Sequence, residues 1–321
     1  MSAVPAFPRR PAVFLGAIVL DALLGDPPTA LHPVGWLGRA VRLAERAAPE
    51  APRARRRFGI AGALVFPLLA AGLARLASGG SGARSMVAEA VLLDVTFALR
   101  TLLARAEEVR AALAADDLDR ARALLARHLV SRDTADLSAA EVAGAAIESV
   151  AENLGDGVFG PWIAYGVLGL PGAAAYRALN TLDSMWGYRT EQYADLGWAS
   201  ARLDDLANLV PARVTALAIA AAAGLLGEDG AGAIAAWRRD AGTTESPNAG
   251  HPMAAMAGAL GVTLTKRGLY VLGPGAREPR AEDIGRAIRV ARAAALGLAG
   301  VVALALFVDA TDDVGDAEAV R

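Results

Sequence analysis

The 321-residue sequence contains no cysteine, one lysine and three histidines. Without cysteine, a disulfide framework, a thiolate metal site and a cysteine nucleophile are all excluded. The lysine, Lys266, does not stand in the Gly-Lys-Ser/Thr sequence that a P-loop requires, so a Walker-type nucleotide site is excluded as well. His32 and His251 lie in Pro/Gly turns and have no histidine four residues away, so no zinc site is predicted.

Charge is also scarce. Charged residues make up 21% of the chain and hydrophobic residues 55%, and the mean hydropathy is +0.36. Soluble domains usually carry charge at about a quarter of their positions and seldom have so positive a mean hydropathy. The composition predicts a membrane protein. A net charge of -2 gives no reason to expect a nucleic-acid partner.

Long apolar runs also indicate a membrane protein. A bilayer is crossed by about 17 to 25 apolar residues, and runs near that length lie at 11–25, 58–77, 157–179, 209–227 and 292–308, with a more polar sixth at 86–103. Because Ala and Gly dominate these runs, we expect an all-α, polytopic helical bundle with about four to six membrane segments. The sequence Gly169-Leu170-Pro171-Gly172 predicts a kinked or re-entrant segment.

Arginine distribution indicates the orientation. The stretch 38–57 is rich in arginine and 237–292 is basic, so both are expected on the cytoplasmic side of a bacterial inner membrane. If all six runs cross the membrane, the polar stretch 180–208 lies on the side opposite the cytoplasm. If the runs 157–179 and 209–227 are re-entrant instead, this stretch lies on the cytoplasmic side. The sequence leaves both topologies open.

The domain prediction is one membrane-embedded domain over 1–321. Residues 1–10 and 309–321 are expected to be flexible tails, and the run after Pro8-Arg9-Arg10 is interpreted as a retained first helix. Residues 104–147 have apolar positions at helical period with charges between them, which predicts a soluble helical hairpin.

Three acids in 148-ESVAENLGDG-157 form a stripe. Glu148, Glu152 and Asp156 are four residues apart, so they share one face of a helix. An uncharged run follows from Gly157 to Tyr176, and Gly155-Asp156-Gly157 is expected to form the turn into the bilayer. Ionisable groups at membrane depth cost about 2.5–3.5 kcal/mol each, so they usually serve a cavity or a partner.

Other acids and arginines could join this stripe in one site. Acidic side chains supply the oxygen ligands that Mg²⁺ prefers, and arginines bind phosphate through two nitrogens. The alternative is helix capping and pairing of the acids with Arg177, Arg202 and Arg213, and it remains open for any single acid.

The polar clusters, taken in order, resemble the cobalamin-biosynthesis family of adenosylcobinamide-phosphate synthases, the CobD/CbiB proteins. The residues that carry the resemblance are GDPP with HPVGWLGR, SRDT, ESVAENLGDG with GPW, YRALNTLDSMWGYRTEQY, GWASARLDDLANLVPAR and SPNAGHPMAAMAGALGV. They extend from residue 25 to residue 262 and so cover most of the chain. One departure is His251, where an aromatic residue is commoner after SPNAG.

The resemblance implies an ATP- and Mg²⁺-dependent ligase. It would join the free carboxylate of adenosylcobyric acid, a corrinoid, to (R)-1-amino-2-propanol O-phosphate or to the free aminoalcohol. Other enzymes of the corrinoid pathway and a second copy of the chain are further possible partners, beside the lipid bilayer.

We assign the site residues as hypotheses within this activity. The expected catalytic residues are Glu148, Glu152, Asp183 and His32. Cofactor binding is expected from Arg132, Asp133, Asn153, Arg189, Arg202, Asn208 and Asn248, and metal binding from Asp156, Asp204 and Asp205.

Two other functions fit parts of the sequence. An intramembrane prenyltransferase would use Asp-rich helices and Mg²⁺, and 204-DDLAN-208 is half of such a pattern, but a second DDxxD motif is missing. An ion-coupled transporter would use the broken helix and the buried acids, but it gives little reason for the long polar loops.

Overall fold

The computed structural model describes residues 8–319 other than 29, 79, 189 and 276, and side chains as far as residue 312. Within these residues the chain is almost entirely helical, which confirms the all-α prediction. The helices are α1 (Arg9–Leu24), α2 (Pro33–Arg46), α3 (Pro52–Ala77), α4 (Ala83–Asp94), α5 (Leu99–Ala114), α6 (Leu118–His128), α7 (Ala139–Leu154), α8 (Gly160–Trp186), α9 (Trp198–Ala207), α10 (Leu209–Leu225), α11 (Gly230–Asp240), α12 (Gly250–Leu260) and α13 (Ala281–Ala319). A two-stranded antiparallel hairpin, β1 (Leu264–Lys266) and β2 (Tyr270–Leu272), follows α12.

Three helical segments of the described chain are long and apolar enough to cross a membrane: Pro52–Ala77, Ala139–Trp186 and Ala281–Asp312. The pair α9 and α10, bent by 45°, is a fourth if the two helices count as one span. Four spans would meet the lower end of the predicted four to six, and three spans fall just below it. Helix α1 has only 16 residues, and the run at 86–103 is interrupted between the end of α4 and the start of α5.

Helix α3 shows how such a segment meets lipid. Its leucines and valine at positions 64, 65, 68, 69, 73 and 76 are all exposed. Exposed apolar side chains on a helix of this length are stable when the hydrocarbon core of a bilayer surrounds them. We therefore treat α3 as a membrane-spanning helix with a lipid-facing side.

The predicted break in the third apolar run is present in α8. Gly169 has φ 67° and ψ -161°, a conformation that side chains with a Cβ rarely adopt, and Pro171 follows inside the same helix. The kink prediction is confirmed. A cleft of about 360 Å³ lies beside the kink, lined by Arg10, Glu89 and Tyr165 among others.

The predicted turn at Gly155-Asp156-Gly157 is wrong. Residues Gly155–Phe159 form a π-helical segment that joins α7 to α8, and the Gly160 N–H donates to the Gly155 carbonyl. Leu154, Val158 and Phe159 are buried around it, so packing holds the backbone in helical geometry where the glycines alone would have allowed a turn.

The chain divides into two compact units, which we describe separately. The first comprises Met1–Ala98, Pro161–Asp204 and Ala299–Arg321, and the second comprises Leu99–Gly160 and Asp205–Leu298. The expectation of one domain over 1–321 stays a prediction. Helix reaches into both predicted tails, since Arg9 and Arg10 begin α1 and α13 continues to Ala319.

The first unit is built on aromatic packing. Phe14 of α1 meets Trp162 edge-on at 5.6 Å between ring centroids and stacks on Tyr165 at 5.9 Å. Phe97 contacts the same Trp162 at 5.4 Å. Helices α1 and α4 pack together, and the Arg9 guanidinium donates to Glu89 at 2.8 Å across that contact.

The second unit surrounds α12, in which every residue from Pro252 to Leu260 is buried. Helices α7, α10 and α11 pack against it. A Cβ on Gly258 would lie 2.2 Å from the Gly232 carbonyl oxygen, so α11 and α12 can cross this closely only because position 258 is glycine. Helices α5 and α6 pack against each other, and Asp117 caps α6; that residues 104–147 form a soluble hairpin stays a prediction.

Candidate functional site

Helix α7 carries the acidic stripe into the second unit. It begins with a capping box in which Ser138 accepts from the Glu141 N–H and Glu141 accepts from the Ser138 N–H. Nearly all of its remaining residues are small or apolar and buried, so the helix is fixed on several sides. Glu148 is only 6% exposed, whereas Glu152 and Asp156 are partly exposed.

The Glu148 carboxylate lies among charged and polar neighbours. Arg132 Nη2 is 3.8 Å from Glu148 Oε2. The Tyr270 phenol hydrogen-bonds to this carboxylate, and the charges of Glu152 and Lys266 also act on it. The other carboxylate oxygen, Oε1, is buried and accepts no hydrogen bond from the described residues. A buried acceptor without a donor is costly, and a ligand that brings a donor would remove the cost.

The hairpin places Lys266 and Tyr270 at this point. Leu264 and Leu272 are buried, strand β1 packs on α7, and Lys266 pairs directly with Tyr270 across the hairpin. The ammonium of Lys266 lies 5.9 Å from the centroid of the Tyr270 ring. Burial, followed by the charge of Glu148, raises the pKa of the Tyr270 phenol above its ordinary value.

An ion pair fixes the hairpin to α7. The Arg267 guanidinium, in the turn between the strands, donates to both oxygens of Glu141. Sequence reasoning missed Lys266 and Tyr270 as site residues. The one available signal was that Lys266 is the single lysine of a chain whose other basic side chains are arginine.

The SRDT loop supplies Arg132 and is itself held by turn contacts. Asp133 Oδ1 accepts from the Ala135 N–H at 3.0 Å, and the Thr134 hydroxyl donates to the Arg122 carbonyl at 3.0 Å. Asp133 is exposed. Its role in the structure is to shape the turn that presents Arg132, and its predicted contact with a cofactor stays a prediction.

Asn153 is engaged within its own helix. Its amide nitrogen donates to the Ser149 carbonyl at 2.9 Å and to the Ser149 hydroxyl oxygen at 3.2 Å. The Ser149 hydroxyl donates in turn to the Leu129 carbonyl at 2.9 Å. These bonds tie α7 to the segment that precedes the SRDT loop.

A second cluster of the same unit lies around Asn248. Its amide nitrogen donates to the Asp205 carbonyl at 2.7 Å, and its oxygen accepts from Arg213 Nη1 at 3.5 Å. The structure thus brings the predicted residue Asn248 to the backbone of the predicted residue Asp205. Asn248 is 4% exposed, so this amide connects two segments of the fold.

His251 takes part in a hydrogen bond within the fold. The Trp237 indole N–H donates to His251 Nδ1 at 2.7 Å. Burial, with a smaller contribution from the Arg213 charge, lowers the pKa of His251 below its ordinary value. The lowered pKa favours the neutral imidazole, whose Nδ1 serves as the acceptor for the half-buried Trp237 indole.

Other predicted residues belong to the first unit. Asp183 lies in the last turn of α8 and is partly exposed. Asp204 is buried, and its Oδ1 accepts from the Asn180 amide at 3.5 Å. Arg202, two residues before Asp204 in α9, is exposed. Asn208 belongs to the second unit and is 1% exposed, immediately before α10.

His32 caps α2 through Nδ1, which accepts from the Val34 N–H at 3.1 Å. Its Nε2 is 3.7 Å from Asp26 Oδ1. Asp21 and Asp94 lie nearby, and both are buried. Burial raises the pKa of Asp94 to about 7, and the carboxylates of Asp21 and Asp26 act in the same direction. Since one nitrogen of His32 is used for capping and the other faces a carboxylate, its predicted role as a base stays a prediction.

A preformed metal cage is absent from the described part of the chain, where no three His, Asp or Glu side chains are grouped to hold an ion. The predicted metal set of Asp156, Asp204 and Asp205 is therefore not assembled as one cluster. Arg189 lies outside the described residues. What the structure does bring together, on one side of α7, is Arg132, Glu148, Glu152, Lys266 and Tyr270.

Comparison with known proteins gives one consistent result. The sequence model of the family described as CobD/Cbib protein matches residues 14–296. "Cobalamin biosynthesis protein CobD" of Chromobacterium violaceum is 45% identical, with 91% of this chain and 97% of that protein covered. "Probable cobalamin biosynthesis protein CobD" of Methanothermobacter thermautotrophicus is 41% identical over 82% and 86%, and the Geobacter metallireducens protein is 43% identical over 81% and 82%. No solved structure matches this chain.

Proposed function

The chain belongs to the CobD/Cbib family, and we propose that it catalyses an ATP-dependent amide synthesis in cobalamin biosynthesis. The acid would be adenosylcobyric acid, and the amine would be (R)-1-amino-2-propanol O-phosphate or the free aminoalcohol. The product would be adenosylcobinamide phosphate or its unphosphorylated form. This is the activity expected from the sequence motifs, and the match over most of the chain to relatives named for cobalamin biosynthesis supports it.

One structural observation carries the proposal beyond the family match. The ESVAENLGDG motif provides a buried carboxylate, Glu148, with one unpartnered oxygen and with Arg132 beside the other. A buried acid next to cationic groups suits a reaction between a carboxylate, a phosphate ester and an amine. Most buried carboxylate oxygens have a donor, and a donor on the substrate would supply the one that Glu148 Oε1 lacks.

The chemistry requires activation of the acid. A carboxylate oxygen of the corrinoid would attack the γ-phosphorus of ATP, the bond from that phosphorus to the β–γ bridging oxygen would break, and ADP would leave with the electron pair. The neutral amine would then attack the acyl carbon. As the C–N bond forms, the acyl C–O bond breaks, phosphate leaves with its electron pair, and one proton of the nitrogen passes to the medium.

The residues would divide this work. Arg132 would neutralise the charge of a substrate phosphate group in the site. Mg²⁺, when bound, would neutralise phosphate charge and orient the phosphoryl oxygens. Proteins usually hold Mg²⁺ with one or two carboxylates, and phosphate oxygens and water complete its shell. The partly exposed acids Glu152 and Asp156 fit that requirement, and a three-acid cage is not needed.

We also propose the bacterial cytoplasmic membrane as the location. The arginine-rich stretch 38–57 ends within the first two turns of helix α3, so the N-terminal end of α3 would face the cytoplasm. The substrates and ATP are cytoplasmic solutes, so an enzyme in this membrane would have access to them.

The direct test uses purified protein in detergent with adenosylcobyric acid, aminopropanol phosphate and Mg-ATP. We expect the amide product and ADP in equal amounts, and a hydroxamate when hydroxylamine replaces the amine. If folded protein binds ATP and forms no amide, the proposed function is wrong. Formation of AMP and pyrophosphate would instead show an acyl adenylate and would refute the acyl phosphate.

A further inference from the structure

We propose that Arg132, Glu148, Lys266 and Tyr270 line a pocket that serves as the subsite for the aminoalcohol phosphate, in which Glu148 binds the ammonium group and Lys266 and Arg132 bind the phosphate. The inference rests on the proposed function and assigns one of its substrates to a defined part of the chain. It also gives a role to the hairpin residue Lys266, which the sequence motifs do not include.

The unpartnered oxygen is the first step of the argument. Glu148 Oε1 is buried, and no described group donates to it. The nearby Arg132 approaches Oε2, at 3.8 Å, which is beyond hydrogen-bonding distance. The pocket therefore lacks a donor at one position, and an ammonium group supplies up to three N–H donors to a carboxylate.

The two cations are the second step. Lys266 and Arg132 reach the Glu148 region from different segments, the hairpin and the SRDT loop. Arg132 is partly exposed, with 29% of its side-chain surface accessible, while the Glu148 side chain is 8% accessible. An anion that enters from outside would meet the cations before it reached the buried acid.

The charge pattern is the third step. A ligand that carries only phosphate would be attracted by Lys266 and Arg132 but repelled by Glu148. A ligand that carries only an ammonium group would be attracted by Glu148 but repelled by Lys266 and Arg132. A small molecule with an ammonium at one end and a phosphate at the other satisfies both ends of the pocket at once.

Tyr270 supports this arrangement. Its phenol faces Glu148, and Lys266 is its direct partner across the hairpin. The phenol stays protonated because burial and the Glu148 charge raise its pKa. A protonated phenol beside the carboxylate positions it without adding charge, so the acid keeps its preference for a cationic ligand.

The test compares three probes by calorimetry on the detergent-solubilised full chain without corrinoid. The probes are (R)-1-amino-2-propanol O-phosphate, isopropyl phosphate, which lacks the amine, and 1-amino-2-propanol, which lacks the phosphate. Loss of a charge-assisted hydrogen bond changes affinity about 10- to 100-fold. Glu148→Gln is expected to weaken the binding of (R)-1-amino-2-propanol O-phosphate by about that factor. Isopropyl phosphate is expected to bind the variant as tightly as the wild type or more tightly.

Lys266→Ala provides an independent measurement. It is expected to weaken both phosphate-bearing probes roughly tenfold and to leave 1-amino-2-propanol unchanged, and Lys266→Arg should restore most of the loss. Arg280→Ala, at an exposed arginine outside the pocket, is the matched control. Equal weakening of the amine-bearing and amine-free phosphates by Glu148→Gln would refute the subsite.

Mg-ATP binding distinguishes this inference from the proposed function. If Glu148→Gln weakens Mg-ATP binding and leaves the aminoalcohol phosphate unaffected, the pocket is a nucleotide site and the subsite assignment is wrong, although amide synthesis could still occur. If wild-type protein binds all ligands as expected but makes no amide, the function fails while the subsite stands.

Discussion

Arg132 approaches Glu148 on one side only: its guanidinium lies 3.8 Å from Oε2, while Oε1 of the same carboxylate is buried without a donor. A structural ion pair would normally use both oxygens, since Arg can donate two parallel hydrogen bonds to a carboxylate. The half-satisfied geometry is typical of a site that completes its hydrogen bonds with a ligand. It is the main reason to place the chemistry at α7.

Glu152→Gln is expected to lower kcat by roughly 100-fold or more with little effect on folding, because the change removes a charge that would face Mg²⁺ and phosphate. Glu152 is partly exposed, so the amide should be accommodated. The measurement is amide formation by protein with an unchanged elution profile. Glu107→Gln, at an exposed acid on α5 paired with Arg110, is the control; activity near wild type for Glu152→Gln would assign that acid to structure.

Gly169→Ala is expected to destabilise the protein by about 1–3 kcal/mol, because alanine is strained at the observed φ and ψ. The readout is the apparent melting temperature in detergent. Gly72→Ala in α3 is a matched control, since a Cβ there meets no atom within 4 Å and alanine favours helix. A loss that is equal for both variants would contradict the strain explanation.

Asp94→Asn should stabilise the protein more at high pH than at low pH. The pKa of Asp94 is raised to about 7 by burial and by Asp21 and Asp26, with His32 opposing them. The folded state therefore binds more protons than the unfolded state, and stability falls as pH rises from about 4 to about 7. Melting temperatures of both proteins at pH 5 and pH 8 test this, and the gain from asparagine should be larger at pH 8. A gain that did not depend on pH would show that Asp94 titrates normally.

His251→Phe is expected to preserve amide synthesis and to cost about 0.5–1.5 kcal/mol of stability, because the half-buried Trp237 N–H loses its acceptor. Trp237→Phe removes the donor, so in the double variant most of the penalty from His251→Phe should disappear. Both melting temperatures and kcat are needed. A large fall in kcat with unchanged stability would give His251 a role in the reaction.

Several features of the fold could be read from local sequence. The long apolar runs predicted the membrane helices, Gly169 and Pro171 predicted the kink, and the four-residue spacing predicted the acidic stripe. These features depend on residues close in the chain, for which hydrophobic period and backbone preference are direct signals.

Other features depend on contacts between distant segments. Spacing placed Glu148 and Glu152 on one face of α7, but the packing of β1 on that helix helps to set how far each is buried. The strands of the hairpin have three residues each, too few to show a period. The Asp21 and Asp94 neighbourhood forms because α1 packs on α4, and the π-helical segment at Gly155–Phe159 forms where glycines had indicated a turn.

The single lysine also allows the hairpin to be labelled or cleaved at one known position. Apart from the α-amino group, Lys266 carries the one primary amine of the chain, so an amine-reactive reagent would label the wild-type protein at one side chain. A lysine-specific protease would have a single cleavage site, between Lys266 and Arg267. Protection of that label or that cut by a bound substrate could be read directly by mass spectrometry, without any engineered reporter.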